Sequence, residues 1–180
     1  MFVQTEITPN PNALKFIPGK AVSNNGSFEV TKKEESNNGL VRNLLSINGV
    51  TGIFLGSDFL SVNKEENKDW EDIKHIVISL INEHYSDGKE FVIDKNYNDE
   101  NDSNFEEIEQ KIIKILDTKI RPAVAKDGGD IKFKEFKDGI VKVELQGSCS
   151  GCPSSTMTLK QGVQNLLCHY LPEVKEVVAI

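Results

Sequence analysis

Two cysteines near the C-terminal end of the sequence, Cys149 and Cys152, are the residues best suited to chemistry. They form a C-x-x-C motif, whose spacing lets two thiolates reach one metal ion or cluster. The same spacing is found in redox-active dithiols. Free cysteines also pack as small hydrophobic residues, so a pair of buried thiols without function is the third interpretation.

The flanking sequence places this motif on a turn between a strand and a helix. Apolar residues alternate over 140–145, which predicts a strand, and an amphipathic pattern over 159–171 predicts a helix. Pro153 suits the first helical position, where a missing N–H costs nothing. Because a helix N-terminus carries partial positive charge, this position favours the thiolate, the form that binds metals.

The third cysteine, Cys168, is too far away to act as a third ligand. In a continuous helix, the 16 residues from Cys152 to Cys168 span about 24 Å at ~1.5 Å per residue. One metal cannot be held from both ends of such a helix, and the same length excludes His169. We therefore interpret Cys168 as a surface or boundary thiol.

Composition and charge exclude several classes of protein. The chain of 180 residues is 38% hydrophobic and 27% charged, and no apolar run is long enough to span a membrane. The start of the sequence lacks the layout of a signal peptide, so we expect a reducing compartment without structural disulfides. The net charge of −7 arises in residues 1–104, which carry 10 Lys+Arg and 17 Asp+Glu, whereas residues 105–180 carry 11 of each. This acidic half argues against nucleic-acid binding.

The pattern predicts an α+β protein with two small domains, each a small β-sheet packed with two helices. Residues 1–93 contain short strand signals and two helical patterns, and form the N-terminal domain. Residues 94–104 are polar and without periodicity, which predicts a flexible linker. Residues 105–180 predict the order helix, two strands, cysteine loop, helix, strand. Within them, Pro122 is expected to end or kink the first helix near Arg121, and residues 127–130 are expected to form a tight turn.

Three segments carry a resemblance to a known family. They are the opening residues 1–16, which include Thr-Pro-Asn-Pro-Asn, residues 121–131 with Asp-Gly-Gly-Asp, and residues 147–160 around the cysteines. All three resemble the NifU-like, Nfu-type iron–sulfur cluster scaffold proteins. The resemblance covers nearly the whole chain, except for the linker and the loop over residues 23–35.

The resemblance implies a carrier rather than an enzyme, with Cys149 and Cys152 as the ligands of a [4Fe–4S] cluster, or of a [2Fe–2S] cluster. Its partners are an upstream cluster donor and the apo iron–sulfur client proteins that receive the cluster. The family includes bacterial and mitochondrial forms. Because the sequence shows no presequence, we expect a protein of the bacterial cytoplasm, with a mitochondrial protein whose presequence has been removed as the alternative. Since clusters normally take four thiolates and one chain offers two, we expect a homodimer with the cluster and mainly monomer without it.

Two other functions use the same cysteines. A thiol–disulfide oxidoreductase would use Cys149 as its nucleophile, but such enzymes carry the motif early in a βαβ unit, whereas this one follows a predicted β-hairpin. A closed structural zinc site needs four ligands within one fold, and the length of the helix removes the remaining candidates.

Overall fold

The computed structural model describes residues 2–23, 26–88, 106–149 and 153–180, except for the side chains of residues 153–156. The chain divides into two compact units, Met1–Lys95 and Asn96–Ile180. Each unit combines a β-sheet with helices, which confirms the predicted α+β class. The predicted linker over residues 94–104 lies outside the described residues, so its boundaries stay a prediction.

The N-terminal unit is a five-stranded sheet covered by two helices. Its strands have the order β1-β2-β5-β4-β3, and all neighbours are antiparallel. Apart from a short 3-10 turn at Lys33–Glu35, its elements are β1 Gln4–Ile7, β2 Ala13–Ile17, β3 Phe28–Val30, α1 Gly39–Leu45, β4 Val50–Leu55, β5 Leu60–Lys64 and α2 Trp70–Ser86.

Local sequence explains how the helices of this unit begin and what they bury. Asn38 caps α1, since its Oδ1 accepts hydrogen bonds from the N–H groups of Leu40 and Val41 at 2.9 and 3.2 Å. Asp69 occupies the N-cap position of α2. Helix α2 buries the side chains at every fourth position, Ile73, Val77 and Ile81, against the sheet.

The C-terminal unit is a three-stranded sheet with helices against it, as predicted. Its elements are α3 Glu107–Ile115, a π-helical segment Leu116–Ile120, α4 Arg121–Lys126, β6 Gly129–Lys137, β7 Ile140–Gly147, α5 Pro153–Tyr170 and β8 Glu176–Ala179. Strands β6 and β7 form an antiparallel hairpin, and α5 crosses over to bring β8 parallel to β7. Among the described residues, no helix combines the length and apolar character that a membrane crossing needs.

The helical path at the start of this unit continues past Arg121, near which the sequence predicts an end or a kink. Its N-cap is Glu106, whose N–H donates to the carboxylate of Glu109 at 2.9 Å. The helical path does not end at Arg121, because it passes through the π-helical segment and continues as α4 to Lys126. Pro122 lies in the first turn of α4, directly after the π-helical segment.

Each unit has its own hydrophobic core, so we expect the two units to fold independently. Cleaving the chain near Asn101 is expected to release two pieces that each unfold cooperatively on heating, because each keeps its complete sheet and core. Circular dichroism on the separated pieces and on the intact chain measures this. A piece covering residues 105–180 that lacks a cooperative transition would show that the predicted domain boundary is misplaced.

Candidate metal centre

The chain reaches Cys149 from the end of β7 and leaves the cysteine loop into α5. Gly147, the last residue of β7, pairs with Gly129, the first residue of β6, so that the loop begins beside the start of the hairpin. Helix α5 begins at Pro153, as predicted. Cys152 lies outside the described residues, so the structure locates Cys149 alone of the two predicted ligands.

Cys149 is buried against Gly129. Only 8% of Cys149 is exposed. A Cβ atom placed on Gly129 would lie 2.5 Å from Cys149 Sγ and 2.7 Å from the carbonyl oxygen of Gln146, distances that real Cβ atoms do not adopt. The absence of a side chain at Gly129 therefore creates the space that the sulfur occupies.

Ser148 connects the cysteine loop to the turn between α4 and β6 through two hydrogen bonds. Its backbone N–H donates to the carbonyl oxygen of Gly128 at 3.2 Å, and its hydroxyl donates to the carbonyl oxygen of Asp127. Gly128 and Gly147, on the two sides of this contact, have φ values of +80° and +66°, which favour glycine. Cys149 is thus preceded by a residue whose backbone and side chain are both held.

A partly buried ion pair between Arg121 and Asp130 fixes the same turn from the other side. The guanidinium of Arg121 donates from Nε and Nη2 to the two carboxylate oxygens of Asp130, both at 2.9 Å, and from Nη1 to Asp117 at 3.0 Å. The Asp130 side chain is only 5% exposed, and its Oδ1 also accepts from the N–H of Ile131 at 2.8 Å. These contacts hold the pKa of Arg121 above its ordinary value, chiefly through the hydrogen bond with Asp130. Helix α4 is thereby joined to the start of β6.

The ionisation of Cys149 differs from the sequence prediction. Burial raises the pKa of the thiol to about 11; the hydrogen bond with Ser148 acts in the opposite direction, and the carboxylates of Asp127 and Asp130 raise it further. The thiol is therefore neutral at neutral pH in this position. Proximity to a helix N-terminus predicts a thiolate, but Cys149 precedes α5 by four residues, and desolvation dominates.

Cys168 lies where the sequence places it. Helix α5 runs without interruption from Pro153 to Tyr170, which confirms the length on which the exclusion of Cys168 depends. The Cys168 thiol is half-buried at the edge of the core and donates to the carbonyl oxygen of Val174 at 3.2 Å. Across the described part of the chain, no three His, Cys, Asp or Glu side chains converge as metal ligands.

Sequence reasoning missed the residues that support Cys149. The sequence predicts a turn over residues 127–130, but its members also make room for the sulfur, accept from Ser148 and pair with Arg121. Two successive glycines before an aspartate are the available signal, since glycine often marks a close backbone approach. The approach of residue 149, twenty positions further on, cannot be read from that pattern.

Comparison with known proteins assigns the chain to a family. The model of the scaffold protein Nfu/NifU N-terminal domain matches residues 3–88, and that of the NifU-like domain matches residues 112–178. The human NFU1 iron-sulfur cluster scaffold homolog, mitochondrial, is 44% identical over 98% of this chain and 71% of its own length. The chain belongs to the Nfu/NifU iron–sulfur cluster scaffold family. This assignment confirms the resemblance on which the sequence analysis relies.

A plant relative and a solved structure show similarity over the whole chain and over half of it, respectively. NifU-like protein 4, mitochondrial, from Arabidopsis thaliana is 40% identical over 98% of this chain and 65% of its own length. The chain thus spans about two thirds of the length of these relatives. The solution NMR structure of a NifU-like protein from Saccharomyces cerevisiae covers 51% of this chain and 84% of its own, with 28% identity and a TM-score of 0.45.

The predicted location in a bacterial cytoplasm is wrong. The Nfu/NifU relatives from human, Arabidopsis thaliana and Drosophila ananassae are all named as mitochondrial proteins, which points to a mitochondrial location. The prediction rests on the lack of a presequence, but presequences are removed after import and have no part in the folded domains. The sequence of the domains alone does not distinguish the two compartments.

The space beneath the Cys149 sulfur gives a testable stability effect. Gly129→Ala is expected to destabilise the C-terminal unit by roughly 1–3 kcal/mol, because the added methyl group meets backbone atoms of Gln146 and Cys149 as well as the sulfur. Urea unfolding of the metal-free protein measures this change.

Gly162→Ala is the matched control, since Gly162 lies within α5 and a methyl group added there meets nothing within 4 Å beyond its own helical backbone. Alanine there is expected to stabilise the helix by about 0.5–1 kcal/mol. Equal unfolding midpoints for the two variants would contradict the close packing of Gly129 against Cys149.

Proposed function

We propose that this protein binds an iron–sulfur cluster through Cys149 and Cys152 and delivers it to apo-proteins. The observation that carries the proposal is the similarity, along almost the whole chain, to relatives named as iron–sulfur cluster scaffolds. The C-x-x-C motif supplies the thiolates that such a cluster requires. We propose [4Fe–4S] as the cluster, held for transfer rather than used in catalysis.

The number of ligands requires two protomers. A cluster normally takes four cysteine thiolates, and one chain has two cysteines within reach of a common site. Cys168 cannot add a third, because most of the length of α5 separates it from the cysteine loop. Two chains that meet at their cysteine loops supply four thiolates, and the cluster is then shared between them.

The Cys149 sulfur must move out of its buried position in order to bind a cluster. In the position seen here its sulfur faces Gly129 and is shielded from solvent. Coordination by iron displaces the proton of a thiol, so a neutral thiol is a competent starting state. The hydrogen bonds of Ser148 keep the preceding backbone in place, which allows the sulfur to turn towards a cluster without loss of the β6–β7 pairing.

The position of Cys149 does not favour the thiol–disulfide oxidoreductase. A redox-active cysteine is partly exposed and ionised before it attacks a disulfide. Cys149 is buried, and its environment favours the protonated form. A closed zinc site needs four ligands within one fold, and the length of α5 keeps Cys168 and His169 away from the cysteine loop.

Anaerobic reconstitution with iron and sulfide tests the proposed function. We expect about two irons and two sulfides per chain after desalting, because two chains share four of each. When the reconstituted protein is mixed with an apo [4Fe–4S] enzyme, the activity of that enzyme should be restored even in the presence of an iron chelator. Protein that retains no iron but reduces disulfides would support the oxidoreductase instead, and retention of zinc alone would contradict a carrier.

A further inference from the structure

The structure places Cys149 where it cannot bind a cluster that two chains share. The residue is 8% exposed and belongs to the hydrophobic core of the C-terminal unit, together with Ile131 and Val143. Its sulfur occupies the space left by the missing side chain of Gly129. A shared cluster requires the sulfur to face outward instead. We call the placement over Gly129 the closed position.

The space beneath the sulfur is a fixed part of the fold. Gly129 begins β6 and pairs with Gly147 at the end of β7. The residue after it, Asp130, accepts two hydrogen bonds from Arg121, both at 2.9 Å. On the other side, the N–H and the hydroxyl of Ser148 donate to carbonyl oxygens of the turn before β6. Since the residues on both sides are held by specific contacts, the sulfur enters or leaves the closed position by a local movement.

We infer that the closed position shields the Cys149 thiol from oxidants and electrophiles in solution while no cluster is bound, and that Gly129 is the positioning residue that makes room for it. The inference rests on the proposed function, because a protein that delivers its cluster is left with the thiols that held it. Hydrogen peroxide, for example, converts two thiols to a disulfide and is itself reduced to two molecules of water. A thiol that solvent does not reach is protected from this reaction, since oxidation follows exposure.

Shielding is compatible with cluster binding because little has to change when the sulfur leaves the closed position. Leaving it exposes one small side chain, whereas the pairing of β6 with β7 and the hydrogen bonds from Ser148 to the turn stay in place. The bonds that iron forms with thiolates outweigh this cost, because their free energy is large compared with that of burying one small side chain. The same thiol is thus protected in one position and available in the other.

Alkylation of the full chain without metal tests the shielding. Iodoacetamide forms a bond between the thiol sulfur and its own methylene carbon, iodide leaves, and the thiol proton passes to the buffer. We expect Cys149 to react roughly tenfold or more slowly than Cys168, whose thiol is half-buried at the edge of the core, because Cys149 reacts only after it has left the closed position. Mass spectrometry measures each residue separately in the same sample. In urea, where the protein is unfolded, the two rates should become equal.

Gly129→Ala tests the role of the positioning residue. Its methyl group occupies the space of the sulfur, so the alkylation of Cys149 should become roughly tenfold faster while that of Cys168 stays unchanged. Gly162→Ala is the matched control and should change neither rate, because its methyl group meets nothing within 4 Å beyond its own helical backbone.

Two results would overturn the inference. A wild-type Cys149 that is alkylated as fast as Cys168 would show that the closed position does not shield the thiol, whether or not the variant folds. An equal acceleration of both cysteines in Gly129→Ala would remove the role of Gly129, since a general loosening of the unit then explains the change. The proposed function is tested separately by the iron content after reconstitution, so its failure is distinguishable from either result.

Discussion

Replacing either cysteine of the motif with serine, as Cys149→Ser or Cys152→Ser, is expected to abolish stable cluster binding. Each change leaves a pair of chains with two thiolates in place of four, and serine does not replace a thiolate as a ligand of iron at neutral pH. The expected result is a loss of the visible absorbance of the cluster and of bound iron after desalting. Both quantities are measured on samples reconstituted side by side with the wild type.

Cys168→Ser is the matched control for these variants. Its thiol donates to the carbonyl oxygen of Val174 from the far end of α5, and a serine hydroxyl can make the same hydrogen bond. We expect this variant to retain the wild-type content of iron and sulfide. Loss of the cluster from Cys168→Ser as complete as from the other two would show that the separation along α5 does not exclude Cys168.

Removal of the guanidinium in Arg121→Ala is expected to lower the free energy of unfolding of the C-terminal unit by about 1.5–3 kcal/mol. The cause is the carboxylate of Asp130, which is 5% exposed and would be left without either of its two hydrogen bonds from Arg121. Urea unfolding of the metal-free protein measures the loss. Since Asp130 adjoins Gly129, we also expect the variant to hold its cluster less firmly.

A surface ion pair of the same sheet provides the comparison. Lys142 and Glu135 are 2.9 Å apart, but both side chains are about half exposed. Lys142→Ala is therefore expected to lower the free energy of unfolding by less than about 1 kcal/mol. If Arg121→Ala lowers the free energy of unfolding no more than Lys142→Ala does, the pair of Arg121 and Asp130 does not support the turn beneath Cys149.

The features that the sequence predicts well depend on neighbours along the chain. Val141 and Val143 alternate with polar residues and are buried in β7, and Asp138-Gly139 forms the turn of the hairpin with positive φ at both residues. The continuous helix that keeps Cys168 from the cysteine loop follows from an unbroken amphipathic pattern. In each case the residues that decide the structure lie within a few positions of one another.

The features that the sequence does not predict depend on distant contacts. The pKa of Cys149 is set by burial against Gly129, twenty residues away, rather than by the start of α5. The helical path continues past Pro122 because a π-helical segment precedes it, and no periodic pattern signals that change. Cys149 and Cys152 as cluster ligands stay predictions, and the experiments above decide them.

Sedimentation velocity on a single sample, recorded before and after anaerobic reconstitution, tests most directly whether two chains share one cluster. Because the cluster joins the protomers, its binding energy should appear as stability of the dimer. We predict a mainly monomeric metal-free protein and a dimer after reconstitution that carries about two irons and two sulfides per chain. Destruction of the cluster by oxygen should return the monomer. A full [4Fe–4S] complement on a strictly monomeric chain would contradict the shared cluster.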